Sequence, residues 1–352
     1  MTLGAAHRHT PDISRHLFYS DVMHPQARQL TRRQALVSGA CYFGVGAIAP
    51  DTRAHPRVAH ASSQQGDPRA FATDEVAPGI HIRRGLDEDA TSKNEDAIAN
   101  IGFIVGRDAV AVIDPGGSRI DGERLRAAIR QKTQLPIKYV VMSHVHPDHI
   151  FGAPAFQQDH PQFVGHAQLP RTLALREEFY RKRLEDLLGK DQAGGGVAPT
   201  MLVQNHAEID LGSRVLALTA HATAHTDCDL SVLDKTTGTL LPADLLFVKR
   251  VPSLDGSLEG WLKELQTLKS LPARRAVPGH GPTSVDWPSG AVDLERYLGV
   301  LLRGTRNAIA KGVDIEAAVG TVAQSERSRW KLFDDYNGQN VIQAFKEVEW
   351  EQ

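Results

Sequence analysis

The chain has 352 residues, of which 41% are hydrophobic and 23% charged, with a formal net charge of −2. That length can bury a large core as one domain or two, and the composition is that of an ordinary globular protein. The near-neutral charge argues against a polyanionic partner such as nucleic acid. Two cysteines, Cys41 and Cys228, provide no disulfide framework.

Thr31-Arg-Arg-Gln-Ala-Leu36 carries adjacent arginines, and the 14 residues from Leu36 to Ala49 follow without a charge. A bilayer-spanning helix takes ~20 residues, so this run is too short to be one. Ala59-His60-Ala61 then offers a small-residue cleavage site. Basic, apolar and small in that order is the pattern of an export signal, and the arginine pair resembles the twin-arginine type. Residues 1–61 are expected to be this signal and its n-region, with Met23 as an alternative start, and residues 62–73 a polar linker. The mature protein is then exported or periplasmic. Ser-Gly-Ala-Cys41 lacks the bulky aliphatic residue of a lipobox, so no stable membrane anchor is expected.

Val76 to Arg84 reads as a first strand. Ile101 to Val105 and Ala109 to Ile113, separated by Gly106-Arg-Asp108, read as a hairpin. After the sharp Asp114-Pro-Gly-Gly117 turn, Ile120 to Lys132 has helical spacing. Ile137 to Met142 is a β-branched and aromatic run that reads as a buried strand. A short helix towards Phe156, a brief strand at Phe163 to Gly165 and a charged helix from Gln168 to Leu188 follow. Between Met201 and Leu246, apolar runs alternate with turn signals, as in a second meander. Trp261 to Leu268 reads as a helix and Ala276-Val277 as a strand. Leu294 to Ala310 and Asn340 to Trp350 read as further helices. Two mixed sheets packed together and covered by helices on both outer sides satisfy this order. The fold class is therefore α/β (α+β), with a catalytic domain over 74–287 and a C-terminal helical extension over 288–352 packed on it.

The chemistry gathers around Met142-Ser-His-Val-His-Pro-Asp-His149, directly after the buried strand. His144, His146, Asp148 and His149 sit where a loop can aim several side chains at one point, and Pro147 stops the ladder there. Imidazole and carboxylate are the usual ligands of zinc and similar divalent ions. Three later stretches offer the missing ligands: His225 in Thr223-Ala-His-Thr-Asp227, Asp244 after Leu241-Pro-Ala, and His280 in a Pro/Gly-rich loop. Each is expected at a strand end. Taken singly, each reads better as a satisfied structural residue; the order and spacing of the whole set point to metal.

This set resembles the metallo-β-lactamase superfamily, over roughly Val76 to Pro282, and Ile113-Asp-Pro-Gly116 resembles its early Asp-containing turn. The resemblance implies an αββα four-layer sandwich with two zinc ions per chain. It assigns His144, His146 and His225 to the first ion, Asp148, His149 and His280 to the second, and Asp244 to both. It implies a hydrolase in which hydroxide held between two cations attacks an ester, thioester or related bond, with Asp148 as the catalytic residue. Asp244 argues against β-lactamases with an all-histidine first site, and the set is closer to glyoxalase II-like hydrolases.

Ala224-His-Thr-Asp-Cys-Asp229, Asp244-Leu-Leu-Phe-Val248, Leu254-Asp-Gly-Ser257 with Trp261, and Asn340-Val341 to Glu349-Trp-Glu351 are similar to the quinoprotein relay system zinc metallohydrolases. That similarity implies a small-molecule substrate and association with a pyrroloquinoline-quinone oxidation system. The alternatives are a true β-lactamase and a non-catalytic metal-binding accessory protein on the same fold. Asp227 and Asp229 are expected to orient His225. His166 and His221 are expected in structural or pocket-lining roles, and Cys228 as a packed thiol.

Overall fold

The computed structural model describes residues 71–350. The export-signal, start-site and Cys41 expectations lie outside the described residues. Of the linker only Phe71 to Thr73 falls within them, just ahead of the first strand.

Seven strands form the first sheet in chain order: β1 (Asp74–Ala77), β2 (Ile80–Arg83), β3 (Ile101–Val105), β4 (Val110–Ile113), β5 (Ile137–Met142), β6 (Gln162–His166) and β7 (Met201–Val203). Pairing is antiparallel up to β4 and parallel from there to β7. The second sheet, also in chain order, holds β8 (His206–Asp210), β9 (Val215–Ala220), β10 (Leu230–Asp234), β11 (Thr239–Phe247), β12 (Arg275–His280) and β13 (Val285–Asp286). Here only the β11–β12 pair is parallel.

Parallel neighbours need a crossover, and α1 (Arg119–Lys132) supplies it between β4 and β5. Ser118 caps this helix by accepting from the Asp121 N–H, while Leu125 and Ile129, one turn apart, bury against the sheet. The strands alternate faces with period two. Val110 and Val112 of β4 join Leu125 and Ile129 on the helix side. Ala111 and Ile113 point the other way, into an inter-sheet core with Val141, Leu216, Leu218, Val232 and Leu241.

Besides α1, the first sheet's outer side carries α3 (Leu169–Leu188), after the single turn α2 (Pro147–Ile150) and before another, α4 (Lys190–Ala193). The second sheet's outer side carries α5 (Leu258–Lys269), α6 (Val292–Ala310), α7 (Ile315–Val319) and α8 (Phe333–Val348). Trp261, Leu265, Leu294, Leu298, Val341 and Ala344 pack there as one apolar cluster. At ~1.5–3 kcal/mol for each fully buried large side chain, this layer contributes substantially to holding the extension on the sheet. The result is the four-layer αββα sandwich expected from the sequence, with extra C-terminal helices. Among the described residues, no helix is long and apolar enough to cross a membrane.

Several boundaries differ from expectation. The run Val76 to Arg84 is two strands, because Pro78-Gly79 turns the chain with Gly79 at φ +71°. Met201–Val203 joins the first sheet, beside β6, and His206–Asp210 supplies a strand of the second that apolar patterning misses, since it reads His-Ala-Glu-Ile-Asp. The C-terminal helix starts at Phe333, seven residues before Asn340.

A candidate dinuclear metal centre

Strands β4 and β5 end side by side, and the Asp114 N–H donates to the Val141 carbonyl at 2.9 Å. Asp114 takes a left-handed turn, φ 54°, which its short polar side chain tolerates. Its carboxylate accepts from the Ser143 N–H and Oγ at 2.8 Å each and meets His149 Nδ1 at 2.7 Å. The turn after β4 thus anchors the start of the histidine motif. His146 is the N-cap of α2 and Pro147 its first residue, so the proline opens a helical turn as well as ending the strand run. That turn brings Asp148 and His149 to the inner side.

His225 lies in the loop between β9 and β10, and His280 is the last residue of β12. Asp244 was expected at a strand end but sits inside β11. The register with β12 shifts on either side of Ala243, whose φ is 47°, and this irregularity re-aims the carboxylate. Gly279 of β12 makes room for it: a Cβ there would stand 1.9 Å from Asp244 Oδ1 and 2.8 Å from backbone.

All seven side chains singled out from the sequence converge in two adjoining groups. His144, His146, His225 and Asp244 form one, and Asp148, His149 and His280 the other, with donor atoms in each within 4.8 Å of one another. His146 Nδ1 lies 3.1 Å from His144 Nε2 and 3.0 Å from His225 Nε2. Asp244 Oδ2 is 3.3 Å from His225 Nε2 and 3.4 Å from His280 Nε2, so it faces both groups. Asp148 Oδ2 is 3.2 Å from His280 Nε2.

The outer nitrogen of every imidazole is also held. His144 Nδ1 meets Ser143 Oγ at 2.9 Å, His146 Nε2 meets Asp255 Oδ2 at 3.0 Å, and His149 Nδ1 meets Asp114. His225 Nδ1 meets the Ser253 carbonyl at 2.8 Å, and His280 Nδ1 the Ile98 carbonyl at 3.0 Å. Against an acceptor, the outer nitrogen carries the proton and the inner one keeps its lone pair, as a metal ligand requires. Arg250 also lies 3.0 Å from His280 Nδ1. Since arginine only donates, that nitrogen can serve Ile98 or Arg250 but not both; a ligating His280 serves Ile98.

The inner face carries orphaned polarity. His149 Nε2 and Asp244 Oδ1 are buried without a hydrogen-bond partner, although 3.0 Å apart. Such groups cost free energy unless something compensates them. A divalent cation does so, and the donor set of five imidazoles and two carboxylates fits two such ions of the zinc type.

The electrostatics divide the rings: burial lowers His146 and His149, but the Asp255 carboxylate beside the first and the Asp244 carboxylate beside the second outweigh it and raise both. Burial, then the neighbouring His149, holds His144 well below the usual imidazole range, and burial brings His225 down to about 3. Both rings are held neutral, as a metal ligand must be. Burial opposes ionisation of Asp244, but His280 and His149 outweigh it and hold its carboxyl well below the usual range.

The expectation for Asp227 and Asp229 is not met, whereas those for His221, His166 and Cys228 are. Asp229 accepts from the Thr226 N–H and Oγ1, and Asp227 accepts from Thr172, so neither orients His225; Ser253 does. His221 is fixed between Glu264 and Ser231, and His166 between the His221 carbonyl and the Gln168 N–H. Both are structural. Cys228 is a buried thiol whose ionisation burial opposes.

Sequence reasoning missed Asp255, Arg176, Tyr180 and Asp96. Arg176 of α3 binds the Asp255 carboxylate, and the Tyr180 ring stands edge-on to His146 at 6.3 Å. Asp96 is buried, and burial followed by the Asp148 charge pushes its carboxyl well up. The signal for Asp255 was present in Leu254-Asp-Gly-Ser257, but as a similarity without a role.

The profile of the Metallo-beta-lactamase superfamily matches residues 94–280, more than half of the chain. Among solved structures, the stereoselective inverting sec-alkylsulfatase Pisa1 from Pseudomonas sp. is similar at TM-score 0.62 and 16% identity, covering 78% of this chain and 50% of that one. This chain therefore spans half the sulfatase's length. A metallo-beta-lactamase from Pontibacter korlensis is similar at TM-score 0.52 and 18% identity, covering 64% of this chain and 98% of that one. At these identities the likeness is one of fold. No curated protein matches the sequence. The profile match runs from the loop before β3 to His280 and contains all seven convergent side chains, and the chain belongs to the metallo-beta-lactamase superfamily of metal-dependent hydrolases.

Proposed function

We propose that this chain is a dinuclear zinc hydrolase of small ester, thioester or related substrates. One observation carries the reading: seven donor side chains face each other while the outer nitrogen of every histidine is anchored. His144, His146 and His225 would hold one ion and Asp148, His149 and His280 the other, with Asp244 facing both groups. Two divalent ions in such a site supply Lewis acidity and activate water at neutral pH. Asp148, whose side chain is 14% exposed and so within reach of substrate, orients the attacking water and passes its proton towards the leaving group. Arg176, on the Asp255 carboxylate, and Tyr180, edge-on to His146 at 6.3 Å, flank the same cluster.

Export and association with a quinoprotein oxidation system are part of the same proposal. The first is supported by the Thr31 to Ala61 pattern, and the second by the motifs Ala224–Asp229, Asp244–Val248 and Asn340–Glu351. The test is metal analysis of the mature protein with a hydrolysis screen against esters, thioesters, lactones, phosphodiesters and β-lactams. About two zinc per chain and ester or thioester turnover, lost on chelation and restored by zinc, is the expected result. One iron per chain, no metal at all, or efficient β-lactam turnover overturns it.

A further inference from the structure

Helix α8 lies wholly outside the span that matches the superfamily, yet its side chains grip the segment whose Ser253 and Asp255 meet the outer nitrogens of two histidines of the cluster. Asn340 is 1% exposed and uses its amide fully. Its Oδ1 accepts from the Leu254 N–H at 2.8 Å; its Nδ2 donates to the Pro252 carbonyl at 2.7 Å and to Tyr297 Oη at 2.9 Å. Flipping the amide would set donor against donor at Leu254 and acceptor against acceptor at Pro252, so the orientation is determined. The two backbone contacts grip the chain on either side of Ser253, whose carbonyl holds His225 Nδ1 at 2.8 Å. Asp255, the next residue but one, donates its N–H to the His225 carbonyl at 3.1 Å and faces His146 Nε2 at 3.0 Å.

Two turns further along α8, Glu347 takes the other end of the same stretch. It accepts from Ser257 Oγ and the Leu258 N–H at 2.6 Å each, and from the Glu259 N–H at 3.2 Å. A carboxylate at the start of α5 is favourably placed against the helix dipole. The segment Pro252 to Glu259 is thus pinned at both ends by one helix, and the acceptors for two imidazoles hang between the pins. Helix α8 is itself located by Tyr297 of α6, which donates to Asn337 Oδ1 at 3.0 Å.

From this we infer that Asn340, assisted by Glu347, is a positioning residue for the three-histidine cluster: α8 sets the tautomer and aim of His225 and His146 through Ser253 and Asp255. This rests on the metal-site reading of the preceding subsection. Partners in direct contact with a ligand change metal affinity by about 10- to 100-fold, and Asn340 acts one contact further out, so its effect falls at or below the lower end of that range. The effect is confined to one cluster, because the outer contacts of His149 and of a ligating His280, Asp114 and the Ile98 carbonyl, lie elsewhere.

The experiment is a chelator-competition titration with zinc on the full chain and on Asn340→Ala, Glu347→Ala and Tyr336→Phe. The two binding steps are assigned with His225→Ala and His280→Ala, and cobalt(II) absorption spectra are recorded in parallel. Tyr336 is the control: it lies on the same helix, but its hydroxyl contacts Arg250 and Asp89 and nothing in the segment from Pro252 to Glu259. The expected result is a three-histidine step weakened by roughly 3- to 10-fold and an altered cobalt spectrum in Asn340→Ala. A smaller loss at the same step in Glu347→Ala, no change at the other step in either variant, and an unchanged three-histidine step in Tyr336→Phe complete the pattern. An unchanged three-histidine step in both variants overturns the inference. So does equal weakening of both steps that tracks a drop in the melting temperature of the chelated protein. Should Asn340→Ala not fold, Glu347→Ala decides by the same criteria. Wild-type protein that binds no zinc fails the metal-site reading and this inference together; two-zinc wild type with unaltered variants fails this inference alone.

Discussion

Asp255 and His146 are 109 positions apart in the chain, and their side chains meet at 3.0 Å, with Arg176 closing on the same carboxylate. Burial pushes the Asp255 carboxyl up, but His146 and Arg176 outweigh it and hold it at about 2. Asp255 is therefore a full charge that fixes which nitrogen of His146 carries the proton, and so which one faces His144 and His225.

Removing that acceptor leaves His146 free to change tautomer and leaves Arg176 without its carboxylate. Asp255→Ala should weaken zinc binding at the three-histidine cluster by about 10- to 100-fold, and Asp255→Asn should recover part of the loss. Chelator competition measures both, and wild-type affinity in Asp255→Ala would sink the assignment.

Asp148 should behave differently. Its Oδ2 stands 3.2 Å from His280 Nε2, and in the proposed reading it would handle the attacking water and its proton as well as help to hold the second ion. Asp148→Ala should lower kcat by about 10²- to 10⁴-fold, the usual worth of a positioned acid or base, with KM changing only a few-fold. Zinc content is measured on the same sample, and turnover near the wild-type level would remove Asp148 from the chemistry.

Much of this site was legible because its ligands belong to short local motifs. His144, His146, Asp148 and His149 come from one turn after a β-branched strand, and the run Ile137 to Met142 is bounded as its apolar pattern suggests. His280 ends a strand as expected. What stayed hidden depends on pairing across the sandwich. Asp244 is aimed by a register irregularity between β11 and β12, which no local pattern encodes. Asp255 and Asn340 act through backbone carbonyls and N–H groups, and those carry no side-chain signature. Strand β8 is polar on its exposed positions and buries only Ile209 fully, so hydrophobic periodicity passes over it.

The approach of β12 to β11 gives a test of that hidden geometry. A Cβ at residue 279 would meet Asp244 Oδ1 at 1.9 Å and the backbone of Ala243 and Asp244 at 2.8 Å. Neither backbone contact can yield without shifting the strand. Gly279→Ala should displace Asp244, reduce bound zinc below that of wild type, and destabilise the fold by about 1–3 kcal/mol, as overpacking does. Metal analysis with urea denaturation checks it; normal zinc content would mean that Asp244 is not held against this strand.

Far from the ligands, Arg214 and Asp234 form a buried bidentate pair, with Nε–Oδ1 at 3.1 Å and Nη2–Oδ2 at 2.9 Å. Asp234 is fully enclosed, and its Oδ2 also receives the Thr237 N–H and hydroxyl. Burial raises its carboxyl, but the Arg214 and Thr237 hydrogen bonds outweigh that and leave it lowered. A carboxyl whose folded value lies below its unfolded value of ~3.9 stabilises the native state fully above that value. The contribution disappears as pH falls from there through the folded value. Arg214→Ala strands a buried carboxylate and should cost about 3–5 kcal/mol at pH 7, read by urea denaturation. The cost should begin to shrink above pH 4 as pH falls, because a carboxyl buried without its partner protonates more readily than a free one, and should go on shrinking down through the wild-type folded value. Zinc binding per folded molecule should stay at the wild-type level, since the pair touches none of the seven ligands. A loss at pH 7 under 1 kcal/mol, or one that grows on acidification, would show that the pair does not carry this charge in the folded protein.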